Sequence, residues 1–286
     1  MNGRIERYVL SKRLCVAIAI GSLAGLLLTS ASATAGAVRS GFDSTTFPAN
    51  DDGSVGPVNL GFSANYFGNT YTQTFVNNNG NVTFGSGLST YTPFGLTGST
   101  VVPIIAAFFA DVDTRGAGSA LTAYGAGTVD SHTAFGVTWP GVGYFASHTN
   151  LLNNFQLILI DRSDTGAGNF DFEFNYNQIQ WNTGDASSGS GGLGGSPAAV
   201  GYSNGSGVAG TNFELAGSHV NGAFLDSGPA GTSLIHNSLN SGVLGRYDFS
   251  VRNGVVIVGT PEPATFAAAG LGVVAFALTM RRRRSR

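Results

Sequence analysis

The run Asn169-Phe170-Asp171-Phe172-Glu173-Phe174-Asn175-Tyr176 decides the fold class of this chain. Every second residue is aromatic, and Asp171, Glu173 and Asn175 sit between the rings. Side chains alternate faces along a β-strand, so the rings share one face and the polar groups the other. The pattern predicts an antiparallel strand with one face in a core and the other wet. The phase then shifts, because Ile179 and Trp181 fall on odd numbers where the rings were even. A bulge or turn near Asn177-Gln178 absorbs such a shift. Asp171 and Glu173 lie about 6.6 Å apart along one strand face, near the separation of a glycosidase carboxylate pair. Such pairs normally face each other across a cleft from different strands, so a solvated strand face is the simpler reading.

Outward from this strand, the chain reads as more strands. Glycine makes up 43 of 286 residues, charged residues only 10%, and 20 residues are Phe. Low charge with many rings argues against disorder. Much glycine, few charges and many β-formers predict short strands joined by tight loops. Thr74-Phe75-Val76 and Val82-Thr83-Phe84 flank Asn77-Asn78-Asn79-Gly80-Asn81, and Asn-Gly suits the positive φ values of a hairpin turn. Tyr66-Phe67-Gly68-Asn69 is a turn entering a strand. Residues 101–112 are a continuous apolar run, a buried strand leading into the polar loop Asp111-Val112-Asp113-Thr114-Arg115. Residues 120–124, 133–139 and 154–160 read as three further strands, and residues 161–169 as a turn. Residues 187–196 are glycine and serine, a flexible loop, and residues 198–203 a short strand. Residues 204–242 are rich in Gly, Ser and Asn, with weak periodicity around Phe213 and Leu225. Residues 245–258 form a closing strand pair with Arg252-Asn253-Gly254 as its turn. Long amphipathic helices are missing from the pattern. Residues 36–57 read as a loose lead-in loop in which Asp51-Asp52-Gly53 makes a turn. The expected fold is all-β: a single antiparallel β-sandwich-like domain over residues 58–258, with Trp139 and Trp181 in its core.

The two ends read differently. Arg4, Arg7, Lys12 and Arg13 precede an apolar stretch over residues 14–28, and Ala31-Ser32-Ala33 and Ala33-Thr34-Ala35 are small-x-small cleavage candidates. Residues 1–35 are therefore expected to be a helical secretory signal peptide. Cys15, the chain's one cysteine, falls inside it, so the mature protein is expected to carry no disulfide and no cysteine metal site. At the other end, Pro261-Glu262-Pro263 precedes an apolar run over residues 264–280, and Arg281, Arg282, Arg283 and Arg284 follow. A helix of that run spans about 26 Å, a short transmembrane helix. Its arginines stay cytoplasmic by the positive-inside rule, which puts the main domain across the membrane. Residues 36–260 keep five arginines and no lysine against fourteen carboxylates, a net charge of −9. An acidic exported domain is a poor nucleic-acid binder, and no nucleic-acid partner is expected.

Several stretches suggest chemistry. Gly201-Tyr202-Ser203-Asn204-Gly205 fits the G-x-S-x-G nucleophile elbow, and Asp226 and His236 follow in triad order. The elbow needs a helix next, and residues 206–222 are too rich in Gly, Ser and Asn to make one. Gly205-Ser206-Gly207-Val208-Ala209-Gly210 fits the dinucleotide fingerprint without the βαβ unit that gives it meaning. Asp111, Asp113 and Asp185 are oxygen donors that suit Ca²⁺, although Asp113 equally suits an ion pair with Arg115. His132, His148, His219 and His236 lack metal-ligand spacing and read as loop or strand residues.

Two resemblances rest on these motifs. Pro261-Glu262-Pro263, the short apolar span and the terminal arginines resemble the PEP-CTERM sorting signal of Gram-negative bacteria over residues 259–286. The resemblance implies recognition and processing by an exosortase at the inner membrane. It also implies passage to the cell surface or extracellular matrix and a link to exopolysaccharide and biofilm. Tyr66-Phe67-Gly68, Asn79-Gly80-Asn81, Asp111-Val112-Asp113, Val142-Gly143-Tyr144 and the opening strand continued through Ile179-Gln180-Trp181 resemble, in their order, the nidogen-like (NIDO) domain. That family implies an extracellular β-rich domain of matrix or adhesion proteins and no enzymatic activity. The expected function is an exported, non-catalytic cell-surface or matrix protein acting in cell–matrix adhesion or exopolysaccharide association. The alternatives are a carbohydrate-binding module and a secreted hydrolase using Ser203 or the Asp171/Glu173 pair.

Overall fold

The computed structural model describes residues 36–100 and 102–258, which form strands joined by turns and irregular loops. The expected signal helix in residues 1–35 and the expected transmembrane helix in residues 259–286 lie outside the described residues. Among the described residues, no helix is long and apolar enough to cross a membrane. In chain order the first strands are β1 (Thr45–Thr46), β2 (Ser54–Tyr66), β3 (Asn69–Asn77), β4 (Asn81–Thr83), β5 (Ile104–Phe109) and β6 (Val112–Asp113). Then come β7 (Ala123–Val129), β8 (His132–Tyr144), β9 (His148–Asp161) and β10 (Phe170–Gln178). The last are β11 (Gly189–Ser190), β12 (Leu193–Gly194), β13 (Ala199–Ser203), β14 (Asn212–Glu214), β15 (Arg246–Arg252) and β16 (Val255–Ile257).

These strands build a sandwich. An eight-stranded sheet runs β1-β7-β8-β9-β10-β15-β16, with β6 on the end of β8, and a six-stranded sheet runs β14-β13-β5-β4-β3-β2. β11 and β12 form a separate small ribbon. The opening strand of the sequence, β10, lies inside the larger sheet between β9 and β15. Its rings meet apolar partners on both sides: Phe172 sits opposite Leu159 and Phe249, and Phe174 opposite Leu157 and Tyr247. Phe172 stacks on Phe249 at 4.7 Å and meets Tyr202 of the smaller sheet edge-on at 5.8 Å. Each fully buried ring contributes roughly 1.5–3 kcal/mol of transfer free energy. The register slips between Tyr176 and Gln178, the bulge that the phase change requires. Beyond it Ile179 and Trp181 return to the core, and Trp139 joins them. Both indoles find acceptors, Trp139 Nε1 donating to the Asn78 carbonyl at 2.8 Å and Trp181 Nε1 to the Val142 carbonyl at 3.1 Å.

The turns follow their sequences. β15 and β16 are joined by Asn253 and Gly254 with φ of 52° and 81°, the two positive values of a type I′ hairpin. In the β3–β4 turn Gly80 has φ of 76°, and a Cβ there would run into the Phe108 carbonyl of β5. Only glycine fits both conditions.

Three expectations need correction. The polar face of β10 is not wet: Glu173 is 5% exposed and Asn175 is fully buried. The cover comes from residues 36–44, which are not a loose lead-in but a strap across the outer face of the larger sheet that then joins its edge as β1. The strap is held at Arg39, whose N–H donates to Gln156 Oε1 at 2.9 Å and whose carbonyl accepts from Gln156 Nε2 at 2.8 Å. Phe42 then fills an outer cluster with Val129, Ala134, Ile158 and Ile160. A Cβ on Gly127 or Gly136 would strike the Phe42 ring, so these strand glycines mark where the strap crosses. Second, the strand placed at residues 120–124 is β7, shifted toward Val129, because Gly125 and Gly127 lower its apparent β character. Third, residues 187–196 are not a flexible loop. They follow on from a 3-10 turn at Asp185–Ser187 and build the β11–β12 ribbon.

Candidate functional site

Charged side chains gather at two places on the scaffold. On the outer face of the larger sheet, Asp171 and Glu173 project from β10 with neighbours supplied by the sheet register. Arg39 grips Glu173 through both oxygens, at 2.8 and 2.9 Å. Arg162 and Arg252 take the two oxygens of Asp171 at 2.7 and 2.6 Å. Arg246 donates to Asn175 Oδ1 at 2.9 Å and to the Ala37 carbonyl at 2.8 Å. Four of the five arginines of the domain are thus spent on this face. Beside them opens a groove of about 640 Å³ bordered by Arg162, Asp171, Arg246, Asp248, Asn240 and His132. Burial, then the nearby Glu173 carboxylate, push the Asp248 carboxyl up to about 7, against the pull of Arg246 and Arg39. Its Oδ1 is buried without a hydrogen-bond partner among the described residues. Guanidinium donors alternating with carboxylate acceptors suit a polar, hydroxyl-rich ligand.

The second place is a corner of the sandwich where the β3–β4 turn, the β5–β6 junction and the turn before β2 meet. Buried asparagines tie it together. Asn78 Nδ2 donates to the Val112 carbonyl at 2.6 Å, and Asn79 Oδ1 accepts from the Val112 N–H at 3.0 Å. Asn50 Oδ1 accepts from the Gly53 N–H at 2.9 Å and shapes the Asp51-Asp52-Gly53 turn. Carboxylate oxygens of Asp51, Asp52 and Asp111 consequently lie within 4.8 Å of one another. Asp51 Oδ2 accepts from Arg115 at 2.9 Å, and Asp52 Oδ1 accepts from Asn79 Nδ2 at 2.9 Å. Asp111 is 1% exposed, and neither of its carboxylate oxygens has a partner among the described residues. Burial, and then Asp51, Asp52 and Asp113, raise the Asp111 carboxyl to about 7 despite Arg115. Burial, Asp113 and Asp52 likewise raise Asp51 to about 6.

Of the three aspartates expected to suit Ca²⁺, only Asp111 belongs to this cluster. Asp113 is bound by Arg115 Nε at 2.9 Å and Nη2 at 2.7 Å, and by the Ser147 N–H at 2.8 Å. Burial alone would raise its carboxyl, but these bonds outweigh burial and hold it below the usual carboxylate range. Asp185 Oδ2 pairs with His148 Nε2 at 2.9 Å. The sequence reading took Asp51 and Asp52 only as turn residues. Two adjacent carboxylates in one turn are a signal, but nothing local in the sequence joins them to Asp111.

The remaining candidates are dispersed. Ser203 is fully buried at the end of β13, and its Oγ accepts from the Gly205 N–H at 3.2 Å. The chain then turns into β14 rather than a helix, so the geometry of a nucleophile elbow is not built. Asp226 Oδ1 accepts from the Ile179 N–H at 2.7 Å, and His236 Nε2 lies 3.2 Å from the Asp226 carbonyl. Asp171 and Glu173 are each occupied by arginines. The sorting-signal residues Pro261, Glu262, Pro263 and Arg281 to Arg284 lie outside the described residues.

Comparison with known proteins fits this arrangement. The nidogen-like domain model matches residues 72–126 and 121–253. The model for the PEP-CTERM protein-sorting motif matches residues 260–284. Alpha-tectorin of Mus musculus is 35% identical over 186 residues, which cover 56% of this chain and 8% of that protein. Alpha-tectorin of Gallus gallus is 31% identical over 188 residues, again 8% of its length. The chain therefore spans less than a tenth of these curated relatives. No solved structure matches it. Taken with the strand order and buried rings, the family match covers most strands of both sheets, and the chain belongs to the nidogen-like domain family, with a PEP-CTERM protein-sorting motif at its C-terminal end.

Proposed function

We propose that this chain is an exported, non-catalytic protein of the cell surface or extracellular matrix of a Gram-negative bacterium. An exosortase processes its tail during export, and the β domain contributes to adhesion or to an exopolysaccharide-rich coat. One observation carries this: a nidogen-like β-sandwich and a PEP-CTERM sorting motif occur in a single chain. The lysine-free, acidic domain supports it, because net negative charge disfavours nucleic acids and anionic lipid surfaces. Recognition would use loops and grooves on a rigid scaffold.

The groove beside Asp171 and Asp248 favours a second reading, a carbohydrate-binding module. Glycan-array binding by the exported chain separates the two. Retention in the surface matrix with no defined glycan ligand supports the first. A defined glycan whose binding falls at least about tenfold in Arg162→Ala, the loss of one charge-assisted contact, supports the second. A chain that is freely secreted and binds no glycan contradicts both.

A further inference from the structure

We propose that Asp51, Asp52 and Asp111 form a Ca²⁺ site that clamps the turn before β2 to the β5–β6 corner. Asp111 carries the inference. It is 1% exposed, neither carboxylate oxygen is hydrogen-bonded among the described residues, and it faces two other carboxylates within 4.8 Å. A buried carboxylate with no donor is strongly unfavourable unless something positive meets it. The groups nearby that could do so are engaged. Arg115 spends its guanidinium on Asp113 and Asp51. Asn79 Nδ2 is held by Asp52 and the Thr90 carbonyl, and Asn78 Nδ2 by backbone carbonyls that include Val112. Asp51 Oδ1 is a third buried oxygen without a partner among the described residues. One guanidinium thus stands against four carboxylates, those of Asp51, Asp52, Asp111 and Asp113.

The donors are all oxygen, which selects a hard cation over zinc or copper. Two oxygens on one ion are separated by at most twice the metal–oxygen distance. That limit is about 4.6–5.2 Å for Ca²⁺ and about 4.2 Å for Mg²⁺. Oxygens that all lie within 4.8 Å of one another are within the reach of a single calcium ion. A Cβ on Gly184 would press on the Asp111 carboxylate, so the glycine leaves the carboxylate room to keep its place.

The test uses the full chain, stripped with chelator and then titrated with Ca²⁺ and, separately, Mg²⁺, while melting temperature and heat of binding are followed. The expected result is binding heat and a rise in Tm of roughly 3–10 °C at about 10 mM Ca²⁺. Asp111→Asn should abolish both responses, yet melt higher than the stripped parent because a buried charge is gone. If that variant does not fold, Asp52→Asn, at a more open position, should fold and weaken Ca²⁺ binding at least about tenfold. No heat and no Tm shift in the parent chain overturn the proposal. So does a response that the aspartate variants retain, or one that Mg²⁺ reproduces at equal concentration.

Discussion

Asp248 shows how one side chain makes stability depend on pH. Burial and Glu173 push its carboxyl up to about 7 in the fold, against about 4 in the unfolded chain. Between those values the folded state holds the extra proton, so stability falls as pH rises through that window. The charged and titratable groups around it are Glu173, Asp171, Arg39 and Arg246, with Asp130, His132 and Arg162 across the groove. Asp248→Asn should remove this part of the fall, so that the variant gains on the parent between pH 5 and pH 8. Urea midpoints at the two pH values check it, and a constant difference between variant and parent contradicts it. Phe42 matters for a different reason. It fills the outer cluster with Ile158 and Ile160, and Phe42→Ala should cost about 3–5 kcal/mol in chemical denaturation. The core residues were legible one by one, because Phe170, Phe172, Phe174 and Tyr176 alternate. The burial of Glu173 was not, because its cover, Arg39, lies far away in sequence.

At the scale of elements, turn chemistry transferred well from sequence to structure. The Asn77–Asn81 hairpin, the Arg252-Asn253-Gly254 turn and the bulge after Tyr176 all follow from local residue types. Gly80 is the most constrained of these positions, with φ of 76° and the Phe108 carbonyl in the space a Cβ needs. Gly80→Ala should destabilise by about 2–4 kcal/mol, combining left-handed strain with the displacement of β5. A urea midpoint unchanged from the parent would contradict that role for the turn. Elements whose local pattern is interrupted were misplaced. β7 is broken by Gly125 and Gly127, and the β11–β12 ribbon is drawn from glycine and serine. Their order depends on packing against distant residues, such as the strap on β7 and Trp181 against Gly192, and local periodicity carries no trace of it. The acidic corner was half legible for the same reason. Asp111 stood out at the end of its apolar run, whereas Asp51 and Asp52 reach it only through tertiary folding.

For the whole molecule, the sandwich buries its rings between two antiparallel sheets and devotes its outer face to an arginine–carboxylate layer. Four of the domain's five arginines are consumed there, in a domain whose net charge is negative. In the proposed function, the PEP-CTERM tail delivers this domain to the surface. The direct measurement is the intact mass and surface labelling of the protein in its producing cell, compared with a Pro261→Ala/Glu262→Ala variant. The parent should lose its tail and be labelled at the surface, while the variant keeps the tail and is not labelled. A variant processed and displayed like the parent would contradict delivery by the tail.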